Sequence, residues 1–184
     1  MKKFSLTKLN VSFAIIASAG LTLLSIPEGW AQEKCRRSGT YLAQDSKYTQ
    51  QHVIDVRDVP GHQVRVLELH RTPSNAKPNC EGLKLVESWT HGYSDYTNIN
   101  GRAWGYEVDV LDNGDKIFAQ WSGTTQTTLN SDATKKTLYT GVTTFTGGTG
   151  KYRGIRGMSR VTSVFDPKTG FNETQWEDEY WIEN

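Results

Sequence analysis

The chain has only two cysteines, five prolines and four histidines in 184 residues. Each scarcity excludes something. Two cysteines leave no room for a multi-thiolate metal site, and His52, His62, His70 and His91 show no metal-ligand spacing. There is no helical periodicity of note, and no excess of one charge to suggest nucleic acid as a partner. No G-x-S-x-G elbow is present. After the N-terminal segment no apolar run is long enough to span a membrane as a helix.

That N-terminal segment is the first feature that is present. Lys2, Lys3 and Lys8 precede a mostly apolar, uncharged run from Val11 to Ile26, and Gly29 and Ala31 are small residues suited to a cleavage site before Gln32. This pattern predicts a cleaved secretory signal peptide over residues 1–31, of bacterial Sec type, and a single domain over 32–184. Removal takes away three lysines and one glutamate and leaves a 153-residue chain with eighteen basic and nineteen acidic residues, a net charge of −1. The expected location is secreted or periplasmic, with no membrane contact after cleavage. Cys35 and Cys80 remain, and in an exported chain an even count predicts a disulfide. Closing a loop of this length stabilises by roughly 3–4 kcal/mol in the chain-entropy view.

The rest reads as strands and turns. Segments 39–44, 51–58, 63–71, 83–92, 102–111, 116–123, 136–146, 158–165 and 171–182 are rich in Val, Thr, Tyr, Trp and Phe, as half-buried pleated surfaces favour. Two hairpins can be put in register. Asn113-Gly114 predicts a two-residue turn, which pairs Val110 with Ile117, Val108 with Ala119 and Tyr106 with Trp121 on one apolar face extended by Trp104. The acidic run around it misses the spacing of a calcium loop. The second hairpin turns within Asp166–Gly170. Its expected inner face carries Met158, Arg160, Thr162 and Val164 against Asn172, Thr174, Trp176, Asp178, Tyr180 and Ile182, with Arg160 and Asp178 pairing diagonally. Glu173, Glu177, Glu179 and Glu183 alternate onto the other face. Eight or so mostly antiparallel strands in 153 residues form a barrel or a sandwich. Strands with two semi-apolar faces need cover on both, from a filled or ligand-holding interior and from an oligomer interface.

The stretch "FTGGTGKYRGIRG", Phe145–Gly157, resembles a phosphate loop and fails its rules. Position 145 is Phe and position 152 is Tyr where a Walker A motif needs Gly and Ser or Thr, and Arg153 stands where a dinucleotide motif needs its last Gly. Gly147, Gly148, Thr149 and Gly150 are therefore expected to form a structural turn, and no nucleotide or other cofactor is expected. The same stretch, through Gly147, Gly148, Thr149, Gly150, Lys151, Tyr152 and Gly157, resembles a segment of plant dirigent proteins, allene oxide cyclases and their bacterial barrel-like relatives. The resemblance covers about residues 136–184. It implies an all-β fold with a single eight-stranded antiparallel β-barrel and assembly as a homotrimer.

The candidate site residues are Arg160, Asp178, Trp176, Tyr180, Glu87 and Trp89. Glu87, Trp89 and His91 stand on alternate positions after Leu83 and Leu85 and are expected to share a face. Asn172–Thr174 matches a glycosylation acceptor and is read as chance. Two function classes follow. One is an exported barrel that binds a small, largely apolar ligand; the other is a cofactor-free cyclase or isomerase, or a dirigent-like stereochemical guide.

Overall fold

A computed structural model describes residues 33–129, 135–166 and 168–183. The expected signal segment lies outside these residues. Nine strands follow one another: β1 (Cys35–Tyr41), β2 (Ser46–Asp55), β3 (His62–Arg71), β4 (Leu85–Thr97), β5 (Asn100–Leu111), β6 (Lys116–Leu129), β7 (Lys135–Gly148), β8 (Ile155–Asp166) and β9 (Phe171–Ile182). The first two begin four and five residues earlier than the sequence reading placed them. All neighbours pair antiparallel, in the order β1-β9-β8-β7-β6-β5-β4-β3-β2.

The all-β expectation holds, but the closed eight-stranded barrel does not. The sheet has nine strands, and β1 and β2, consecutive in sequence, form its two unpaired edges. The sheet is nevertheless curled. Asn172 on β9 donates through Nδ2 to the Tyr48 hydroxyl on β2 at 3.1 Å, and side chains of all nine strands line one cavity. A short 3-10 turn, Ala43–Asp45, joins the two edge strands, and Asp45 accepts from the backbone and hydroxyl of Ser74.

Two registers differ from expectation by one residue, which exchanges the faces of a strand. At the first hairpin the loop is three residues, not two. Leu111 and Asp115 close it, with Leu111 N–H donating to Asp115 O at 2.9 Å, Gly114 N–H to Leu111 O at 2.8 Å, and Gly114 at φ +85°. This is the three-residue hairpin with glycine in the left-handed position. Glu107 therefore opposes Ala119, Asp109 opposes Ile117 and Gly105 opposes Trp121. Ala103, Gly105, Glu107, Asp109 and Leu111 turn inward, while Trp104 and Tyr106 are exposed on the outside. At the second hairpin β9 points as expected, but Ser159 opposes Asp178 and Arg160 opposes Glu177. Met158, Arg160 and Thr162 are exposed on the outer face, and Ser159, Val161 and Ser163 face in. The glutamates of β9 do lie outside, where Glu179 meets Lys34 at 2.6 Å and Arg36 at 2.8 Å.

A bulge between Leu85 and Glu87 in β4 has the same effect within one strand. An inserted residue shifts the alternation that follows it. Leu85 is buried, whereas Glu87, Trp89 and His91 fall on the outer face and Ser88, Thr90, Gly92 and Ser94 turn inward. His91 thus does not share a face with Leu85.

Two apolar clusters cap the interior. The larger contains Cys35, Leu85, Leu111, Ile117, Phe145, Tyr152, Ile155 and Tyr180; the smaller is built on Tyr96, Ala103 and Tyr139, with Trp121, Val161 and Phe165 packed against it. Cys35 and Cys80 are bonded, with Cα atoms 6.0 Å apart, and pin the 72–84 loop over the larger cluster. Neighbours of Cys80 reinforce this: Tyr180 donates to Glu81 at 2.6 Å, and Asn79 donates to the hydroxyl of fully buried Tyr152 at 2.6 Å. The glycine-rich stretch serves packing. Thr149 and Lys116 exchange hydrogen bonds at 2.8 Å, and Gly150, at φ +51°, lies so close to the Asp115 carboxylate that a Cβ would collide with it.

Candidate functional site: a charged belt inside the curved sheet

Between the two apolar clusters the inward alternation of several strands delivers charge. β1 contributes Arg37, β3 Arg71, β5 Glu107 and Asp109, and β9 Asp178, all lining a cavity of about 110 Å³ (the space open to the centre of a water molecule). One water needs ~10–15 Å³ on this measure, so the cavity takes on the order of ten waters or one small organic molecule.

The belt has two halves. In one, Arg37 pairs with Asp178 at 2.8 Å, and its guanidinium lies 5.0 Å from the Trp176 ring centre and 5.6 Å from that of Tyr180. In the other, Arg71 donates to the Thr90 hydroxyl at 2.7 Å, Thr90 in turn donates to Glu107 at 3.2 Å, and Arg71 lies 4.9 Å from the Tyr41 ring centre. Removing charges from water costs several kcal/mol each unless they are paired and hydrogen-bonded, and these contacts offset that cost.

The acids are perturbed in one direction. Burial, reinforced by the neighbouring charge of Glu107, pushes Asp109 up to about 8. Burial raises Glu107 as well, opposed by Arg71, and raises Asp178, opposed by Arg37. Asp109 therefore carries its proton at neutral pH and can donate a hydrogen bond. Burial also raises Tyr41, Tyr48, Tyr96 and Tyr139, so their hydroxyls stay protonated donors.

Much of this polar capacity is unused. Trp176 Nε1 and Tyr139 Oη are buried with no protein partner, as are the Nε atoms of Arg37, Arg65 and Arg71. All five residues line the cavity. Buried polar atoms are normally satisfied, so a group of them facing one space calls for an occupant that bonds with them. Room for two tryptophans comes from glycine: a Cβ at Gly39 would collide with Trp176, and one at Gly92 with Trp121.

Of the six residues expected from sequence, the fold brings Trp176 and Asp178 to the cavity, and puts Tyr180 in the apolar cluster beneath it. It does not bring Arg160, Glu87 or Trp89 there. Arg160 is exposed, and the partner of Asp178 is Arg37. Trp89 stacks on His70 at 3.9 Å between ring centres and donates to Glu87 at 3.1 Å, both on the outer face. None of the four histidines lines the cavity. Asn172 is buried among interior groups, so it offers no glycosylation site. Sequence reasoning missed Arg37, Arg65, Arg71, Glu107 and Asp109. The available signal was the turn itself: had the Asn113-Gly114 hairpin been given three loop residues, Glu107 and Asp109 would have faced inward.

Comparison with protein-family models, curated proteins and solved structures finds no match.

Proposed function

We propose that this is an exported protein that binds one small amphipathic molecule inside its curled sheet. The observation that carries the reading is the set of buried, unpartnered polar atoms facing a single cavity whose remaining wall is aromatic and aliphatic. Such walls with a few convergent polar groups are the usual make-up of small-molecule sites. The ligand is accordingly less apolar than the sequence reading suggested. Export rests on the N-terminal pattern and agrees with the disulfide and with the absence, among the described residues, of a helix long and apolar enough to cross a membrane.

Kinship with the allene oxide cyclase and dirigent families belongs to this proposal. The glycine-rich stretch and an antiparallel sheet around a cavity support it; the ninth strand and the unpaired β1 and β2 edges depart from it. Assembly through the outer face, as a trimer, is proposed with it, supported by exposed Tyr93, Trp104, Tyr106, Phe118 and Met158. A second reading, a cofactor-free isomerase or cyclase, is favoured by one observation: Asp109 and Glu107 are neighbouring buried carboxyls, both raised by burial, and perturbed titratable groups in a cavity are a catalytic pattern.

The test is a ligand-observed NMR screen of small organic molecules against the wild type and Val161→Trp, which fills the cavity. The expected result is a set of weak binders lost in the variant. A wild type that binds none, or binders that persist in the variant, would contradict the proposal.

A further inference from the structure

Six charged side chains line the cavity: Arg37, Arg65, Arg71, Glu107, Asp109 and Asp178. Their signs balance, but their pairing does not. Asp178 is taken by Arg37, and Glu107 is reached by Arg71 through Thr90. Arg65 stands apart. It lies on β3 six residues from Arg71, opposite Ser94 on β4, toward the end of the cavity formed by Tyr96, Trp121 and Tyr139. Its Nη2 donates to Gln63 at 3.1 Å, and Gln63 in turn donates to exposed Asp55 at 2.8 Å; its Nε is buried without a partner, and among the described residues no carboxylate lies within ion-pair distance of it. Around it are tyrosine hydroxyls, Tyr48 and Tyr96, which donate and carry no charge to meet it.

An arginine in such a place is pre-arranged for a planar anion, because its fork matches a carboxylate and its hydration is weak enough to lose. The state of Asp109 adds to this: burial pushes it up to about 8, so at neutral pH it offers the arginines of the cavity less than a full negative charge. We infer that the molecule bound in this cavity is an organic anion, its charged group held by Arg65 and its apolar body against Leu67, Tyr96, Trp121 and Tyr139. The inference rests on the cavity being a binding site, as proposed above, and names the class of ligand.

Two probes of the same shape test it: 2-naphthoate, and the neutral 2-naphthalenemethanol. Binding is read by isothermal titration calorimetry and by the fluorescence of the cavity-lining Trp121 and Trp176. The wild type should bind the carboxylate at least about tenfold more tightly than the alcohol. Arg65→Gln should remove that preference, and Arg65→Lys should retain part of it. The wild-type comparison stands even if a variant does not fold. Equal affinities in the wild type, or a preference that survives in Arg65→Gln, would overturn the anion inference and leave the cavity as a site. Binding of neither probe to the wild type would overturn both.

Discussion

Asp178 is only 8% exposed, and what it needs is a cation; the structure supplies Arg37. Removing the arginine alone leaves a buried carboxylate without a counter-charge, which costs about 3–5 kcal/mol in comparable pairs. Arg37→Met should therefore lose about that much in denaturant unfolding at pH 8. Arg160→Met, on the outer face, should lose under about 1 kcal/mol. A reversed order would place the wrong arginine inside. Asp109 gives a pH-dependent counterpart. Its folded value, about 8, lies above the ~3.9 of an unfolded aspartate. Between those values the native state holds a proton that the unfolded chain releases, so stability falls as pH rises, by up to about 1.4 kcal/mol per unit, and levels off above the folded value. Asp109→Asn has no such proton to hold. The stability of this variant relative to wild type should rise between pH 5 and pH 8, and a relative fall would contradict the burial of a protonated Asp109.

Element by element, the strands were legible and their faces only partly so. Composition and turn residues located nine strand segments, because Thr, Val, Tyr and Trp in short runs between glycines and Asp-rich turns leave few alternatives. In β9 the inward set Asn172, Thr174, Trp176, Asp178, Tyr180 and Ile182 was read correctly from period-2 alternation. In β5 and β8 the faces came out reversed. The rule that apolar residues point inward fails where the interior is a charged belt: Glu107 and Asp109 face in while Trp104 and Tyr106 face out. In β4 a bulge, which no composition rule announces, moved Glu87 and Trp89 to the outside. The glycine-rich stretch was read as a structural turn, and the geometry agrees: a Cβ at Gly148 would meet the Lys116 carbonyl and the Tyr152 side chain. Gly148→Val should lower stability by at least about 1–3 kcal/mol, as overpacking does, measured by thermal or denaturant unfolding. A neutral result would mean that β7 and the following turn pack less closely than this.

For the molecule as a whole, sheet curl and chain order together make the cavity. An antiparallel sheet twists, and nine strands in succession carry the twist far enough for β9 to reach β2 through Asn172 and Tyr48. The disulfide-pinned 72–84 loop covers one end, and the belt of Arg37, Arg71, Glu107, Asp109 and Asp178 sits above the apolar cluster there. Folding gains little from such a belt, since well-packed apolar residues stabilise a core at least as well as buried ion pairs. In the proposed function its unpartnered atoms are the groups that meet a ligand. The most direct measurement is a crystal structure of the protein with a binder from the screen. Density for the molecule is expected inside the curled sheet, between Arg65, Trp121, Tyr139 and Glu107. A molecule lying instead on the outer face at Trp104 and Tyr106, with the interior filled only by water, would contradict the assignment.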